Sequence, residues 1–190
     1  MLADAIRTAD LEAVEELLRR GANVSELDAN GYTPLILTVF LENTDMARLL
    51  IEKNADVNQK AGDDNTALGL AVLKKNEATI HLLLDNGAHI NERGLEGRTP
   101  LIWAVLNGDA NIVGQLLERG ADPEEKDAEG RTPMEWTVDE WNPEAHLLLT
   151  RSIESIRRTA ALEADHALAA MRQQRLKEQL RLKPKIRPRP

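Results

Sequence analysis

The chain has 190 residues and no cysteine, and its only aromatic side chains are 3 Trp, 1 Tyr and 1 Phe. A chain of this length can bury a sizeable core, so a disulfide-stapled miniprotein is excluded, as are thiolate catalysis and Cys-ligated zinc. The formal net charge of −8 comes from 24 Lys and Arg against 32 Asp and Glu, and the core has to be aliphatic, which favours helices.

Residues 1–25 predict a helical N-terminal unit. Asp10 can accept hydrogen bonds from the free N–H groups that open a helix. The apolar pair Leu17 and Leu18 lies on that helix, and Gly21-Ala stops it in the left-handed conformation a helix end needs. All of this returns after 33 residues. The second unit opens with Gly31-Tyr-Thr-Pro-Leu, where Thr33 and Pro34 start a first helix; small Thr38, Asn43, the pair Leu50 and Ile51, and Asn54-Ala follow. The third has Asn65-Thr-Ala-Leu, Ala71, Asn76, Leu83 with Leu84, and Gly87-Ala. The fourth has Gly97-Arg-Thr-Pro-Leu, Ala104, Asp109, Leu116 with Leu117, and Gly120-Ala. A fifth begins over 127–152 with Gly130-Arg-Thr-Pro-Met, Thr137 and Asn142-Pro143, but carries Ile153 where the stop belongs. The unit is therefore helix, short turn, helix, loop, with a period of 33.

Beyond the repeats the signals change. No glycine follows Gly130 and no proline lies between Pro143 and Pro184. The last helix is expected to run past Arg151, and to be about 60 Å long if continuous from 143 to 182, at about 1.5 Å per residue. Leu149, Ile153, Ile156, Ala160, Ala164, Ala167 and Met171 form one amphipathic stripe. Its first reading is a cap on the open end of the array. The alternatives are a coiled-coil or partner helix and an interfacial membrane helix, the last weakened by the small side chains. Residues 172–190 carry eight basic side chains against Glu178 alone, and the proline-punctuated end over 183–190 is expected to be extended and flexible. The expected organisation is a repeat array over 1–152, an amphipathic helix over 153–182 and a basic tail over 183–190.

The 33-residue unit closely resembles the ankyrin repeat, with its Thr-Pro-Leu-His start and Gly-Ala-Asp-Val-Asn finish. The finishes here read Gly-Ala-Asn-Val-Ser (21–25), Asn-Ala-Asp-Val-Asn (54–58), Gly-Ala-His-Ile-Asn (87–91) and Gly-Ala-Asp-Pro-Glu (120–124). The resemblance implies an all-α, ankyrin-like repeat solenoid with a long C-terminal helical extension. The His of the start is missing: Ile36, Gly69, Ile102 and Glu135 stand in its place, so its hydrogen bonds must be absent or replaced. Ankyrin-like proteins are chiefly binding scaffolds. The resemblance therefore implies a non-enzymatic module without cofactor, contacting a partner protein through its loop tips and the inner face of its first helices.

Repeat-matched positions nominate the contacts. Tyr32, Asn65, Arg98 and Arg131 share one tip position, and Asn30, Asp63, Glu96 and Glu129 another; Leu95 stands in the third tip. Phe40, Leu73, Leu106 and Asp139 share a position expected to face the concave groove. Apolar residues there in three successive units are either a partner surface or tucked against the neighbouring helix. Trp103 and Trp136, one repeat apart, are expected to pack between units, and Trp141 to be exposed in a turn. The candidate contact residues are Tyr32, Phe40, Leu73, Leu95, Arg98, Leu106, Arg131 and Trp141.

Charge divides the chain. Residues 1–149 hold 13 Lys and Arg and 28 Asp and Glu, a net −15, whereas 150–190 hold 11 and 4, a net +7. An acidic array favours basic partners by steering and disfavours nucleic acid on its own surface. The expected partner is another protein; in the sharper form it is an enzyme or toxin occluded by an inhibitor or immunity-type protein. The alternative is a scaffold or regulatory adaptor that the basic tail tethers to nucleic acid or an anionic membrane. No aromatic follows Trp141, so the tail has no means of stacking on bases.

Catalytic chemistry is not expected. His81, His89, His146 and His166 are scattered without metal-ligand spacing, and no phosphate-binding glycine loop, nucleophile elbow or paired His/Glu zinc motif is present. Asp4, Arg7, Asp10 and Glu12 interrupt any secretory apolar run, so a cytoplasmic chain is expected, unless a signal was removed from a mature secreted or periplasmic one.

Overall fold

Side chains that recur every 33 residues start and stop each pair of helices. The computed structural model describes residues 2–139 and 142–182, side chains excepted at 139 and 176–182. Successive units contribute α1 (Leu2–Arg7) and α2 (Leu11–Arg19), α3 (Pro34–Phe40) and α4 (Thr44–Glu52), α5 (Ala67–Leu73) and α6 (Glu77–Asp85), α7 (Pro100–Leu106) and α8 (Ala110–Glu118), and α9 (Pro133–Asp139) with α10 (Pro143–Leu182). The fold is all-helical, a repeat solenoid with a C-terminal helix; among the described residues there is no strand.

The second helix of every unit is capped in the same way. The side-chain oxygens of Asp10, Asn43, Asn76, Asp109 and Asn142 accept from the backbone N–H three residues on, at 2.9 to 3.1 Å. Such a cap typically contributes about 1 kcal/mol. Thr33, Thr66 and Thr99 cap α3, α5 and α7 through Oγ1. The stops take left-handed backbone, with φ of 87° at Gly21, 66° at Asn54, 85° at Gly87 and 91° at Gly120. Asn is the best-tolerated non-glycine residue there. A further left-handed series sits in the turn inside each of the first four units, at Ala9, Glu42, Lys75 and Gly108.

The first helices stack in a row, α1 on α3, α3 on α5, α5 on α7 and α7 on α9, while α4 packs on α6. Thr38, Ala71, Ala104 and Thr137 are buried where these helices meet. The hydroxyls of Thr38 and Thr137 donate to the carbonyls of Leu35 and Met134, each at 2.7 Å, so neither is buried unpaired. In the apolar pairs of α4, α6 and α8 only the first member is fully inside: Leu50, Leu83 and Leu116 are buried, whereas Ile51, Leu84 and Leu117 are half-buried, as are both Leu17 and Leu18 of α2.

The positions of the missing His have three solutions. Ile36 and Ile102 are fully buried core residues. Gly69 lies against the next unit, where an added Cβ would stand 3.8 Å from Trp103 Cδ1. Glu135 accepts from the N–H and hydroxyl of Thr132, at 2.7 and 2.9 Å, closing a reciprocal cap. The Thr132 N–H is the main reason the Glu135 carboxyl is held below its usual range.

The chain falls into two compact units, Met1–Thr150 and Arg151–Pro190. In the first, the opening turns of α10 are tied in by fully buried Ala145 and Leu149. In the second, every residue from 154 to 175 is exposed, including Ile156, Leu162, Leu168 and Met171. The proline-punctuated tail, 183–190, lies outside the described residues. Among the described residues, no helix is long and apolar enough to cross a membrane.

Candidate functional site

The loop tips are narrow backbone turns. The N–H of Asp28, Ala61, Gly94 and Asp127 donates to the carbonyl four residues on, at Tyr32, Asn65, Arg98 and Arg131, at 2.9 to 3.0 Å. Asp28 and Asp127 also accept from two backbone N–H groups of their own tips, which fixes the turn. Neighbouring tips are joined directly. Gly62 N–H donates to Gly31 O at 2.8 Å and Ala128 N–H to Glu96 O at 3.1 Å. The candidate side chains of the first two tips and of the last two therefore project from joined backbone turns.

Behind the tips, Phe40 is 45% exposed at the end of α3 and Leu73 41% exposed at the end of α5. Leu106, the third member of the stripe, is half-buried against the core. The Tyr32 and Phe40 rings stack, with centroids 6.0 Å apart and planes 20° apart. Lys74 Nζ sits over the Phe40 ring at 4.8 Å and 3.7 Å from a Glu42 carboxylate oxygen. The stack and the cation over the ring hold Phe40 in an orderly position despite its exposure. Leu95 is exposed in the third tip. Trp141 lies outside the described residues, and of Asp139 only the backbone is described.

Arg98 and Arg131 are placed differently from Phe40 and Leu73. The Arg98 guanidinium lies 4.8 Å from the Trp103 ring and 5.0 Å from the Trp136 ring, and Arg131 lies 3.3 Å from the Trp136 ring. Each arginine also pairs with a carboxylate of its own tip, Arg98 with Glu96 and Arg131 with Glu129, both at 2.5 Å. Their side chains are only 15% and 30% exposed. Cations and indoles thus alternate along the last two units. Sequence reasoning singled out the arginine pair and the tryptophan pair separately; the available signal was the shared offset of five residues from Arg98 to Trp103 and from Arg131 to Trp136.

Asp127 anchors that cluster from below. Its Oδ2 accepts from Trp136 Nε1–H at 2.9 Å, and its side chain is buried. Burial by itself would push the carboxyl up. The N–H groups of Arg131, Trp136 and Glu129, with the Arg131 charge, outweigh burial and hold it below the usual carboxylate range.

On the second helices, polar side chains bridge consecutive units. Asn111 and Gln115 donate to Glu77, and Arg119 reaches Asp85 and His81. These contacts are largely exposed and individually weak. Among the described residues no group of three or more His, Cys, Asp or Glu gathers in a way that could hold a metal ion.

Family models for ankyrin repeats match residues 2–94, as three copies, and residues 96–128 as one more. No curated protein matches the chain.

Proposed function

The chain belongs to the ankyrin repeat family, and we propose that it is a non-enzymatic module that binds a partner protein through its loop tips and inner helix face. Ankyrin repeats in general mediate protein–protein interaction. The observation that carries the reading is the exposure of Phe40 and Leu73 at matching positions of consecutive units. Large apolar side chains in register on neighbouring helices form a patch that gains free energy when a partner removes it from water. In the sharper form of the reading, the partner is an enzyme or toxin whose working surface is occluded, and the protein acts as an inhibitor or immunity-type protein.

The test begins with the immobilised full chain in native lysate and identification of what it retains. The captured protein is then measured against a Phe40→Glu plus Leu73→Glu variant. Both side chains are exposed, so the variant is expected to melt like the parent while binding at least about thirtyfold more weakly, as for the loss of one strong anchor. Unchanged affinity in a folded variant would remove the groove from the reading.

A second reading is favoured by the +7 of residues 150–190. There the array is an adaptor that the basic tail tethers to nucleic acid or an anionic membrane. Deleting 172–190 is then expected to abolish salt-sensitive attachment to anionic vesicles or DNA and to leave partner binding intact. Attachment that survives the deletion rules the tether out.

A further inference from the structure

The four tips are closed by the same backbone hydrogen bond but differ in charge. In the third and fourth tips the carboxylates Glu96 and Glu129 are each neutralised by the arginine two residues on. In the first, Asp28 is buried and paired with Arg7. The second tip has Asn65 at the arginine position. Asp63 there accepts from the Asn65 backbone and side-chain N–H groups, at 3.2 and 2.7 Å. Asp64 is exposed on left-handed backbone, with φ of 63°. Among the described residues no cation stands within ion-pair distance of either carboxylate.

The tip that carries these two charges is bonded to the tip that leads into the exposed apolar row. The Gly62–Gly31 hydrogen bond joins the second tip, just before Asp63 and Asp64, to the first tip, just before Tyr32. Tyr32 stacks on Phe40, and Leu73 follows at the matching position of the next unit. The nearby cations are already engaged: Lys74 with the Phe40 ring and Glu42, and Lys75 with the Asn107 carbonyl at 3.0 Å. The array as a whole, at −15 over 1–149, adds a field of the same sign as the second tip.

We infer that Tyr32, Phe40 and Leu73, with the Asp63–Asp64 tip beside them, dock a basic segment of the partner protein that also carries a leucine-like side chain. The apolar side chain covers Phe40 and Leu73, and Lys or Arg meets the two carboxylates that have no counter-ion among the described residues. The inference rests on the reading of the array as a protein-binding module and specifies the chemistry of what it takes. An acidic or uncharged apolar segment would leave Asp63 and Asp64 unpaired at the edge of a dehydrated contact, which is unfavourable.

The test uses the full chain and a short fluorescein-labelled peptide of alternating lysine and leucine pairs, with a counterpart carrying glutamate for lysine. Asp63→Asn plus Asp64→Asn keeps the acceptor for the Asn65 N–H and removes both charges. Phe40→Ser plus Leu73→Ser removes the apolar row, and Glu12→Gln plus Glu15→Gln makes the same charge change on α2. Circular dichroism melts establish that all three variants are folded. The lysine peptide is expected to bind the first two variants about tenfold or more weakly and the third like the parent. Added salt should erase the difference between the parent and the Asp63/Asp64 variant. Equal weakening by the α2 variant, equal binding of the glutamate peptide, or unchanged binding by either groove variant overturns the inference. If the partner captured from lysate is lost by Phe40→Glu plus Leu73→Glu but not by Asp63→Asn plus Asp64→Asn, the inference fails and the binding-module reading stands. Loss by neither variant overturns the inference and removes the groove from the binding-module reading.

Discussion

Leu83→Ala is expected to destabilise the array by about 2–5 kcal/mol, whereas Leu84→Ala next to it should cost about 1 kcal/mol or less. Leu83 is fully buried on α6, at the position occupied by Leu50 on α4 and Leu116 on α8. Removing its isobutyl group forfeits burial and leaves a cavity between helices whose backbones are pinned by caps and cannot close on it. Leu84 points to the half-buried flank and loses much less area. The consequence goes beyond one site, because each unit of a solenoid is stabilised chiefly by its neighbours. A weakened central unit uncouples the two sides. Urea unfolding followed by far-UV circular dichroism is expected to separate into two phases, with tryptophan fluorescence reporting the later units, since Trp103 and Trp136 belong to them. Equal losses from Leu83→Ala and Leu84→Ala would overturn the assignment of the buried face.

Trp136→Ala is expected to cost about 3–5 kcal/mol and to change the acid limb of stability. The indole is buried, carries Arg98 and Arg131 on its ring, and donates to Asp127. Its removal opens a large cavity and strips Asp127 of one of the donors that keep its carboxyl low. Because the folded value of Asp127 is depressed, its contribution is fully present above the ordinary Asp value of about 4 and is lost as pH falls through the folded value. Without the indole the folded value rises, so a smaller contribution is left to lose. Urea midpoints measured from neutral pH down into the acid limb should therefore fall less steeply for Trp136→Ala than for the parent over that window. Trp136→Phe keeps most of the ring and lacks the N–H, so it should flatten the acid limb while costing less at neutral pH. Parallel acid limbs for all three proteins would show that the Asp127–Trp136 hydrogen bond contributes nothing.

Tip and groove candidates divided once neighbouring units were in place. Arg98 and Arg131 read from sequence as contact residues at one tip position; their guanidinium groups face indoles of their own and the next unit and pair with Glu96 and Glu129. Phe40 and Leu73 are exposed at the ends of their helices, while Leu106 at the same position is half-buried. The left-handed turn at Ala9, Glu42, Lys75 and Gly108 left no trace in residue type. A left-handed conformation costs a non-glycine residue about 1–2 kcal/mol, a sum that the packed helices on either side of the turn can offset without glycine.

Helix boundaries and the period of 33 were legible in the chain alone. The first needs of a helix end are met within its own turn: Asn76 caps the N–H of Thr79, and Gly87 takes the left-handed stop. That local chemistry prints itself directly into the order of residue types. The exposure of Phe40, the engagement of Arg98 and the unneutralised charge of Asp63 and Asp64 were decided only by the tertiary structure. Each depends on which side chain of a neighbouring turn or unit comes within a few ångströms. Packing distances between side chains, unlike caps and stops, are not carried by any short run of the sequence.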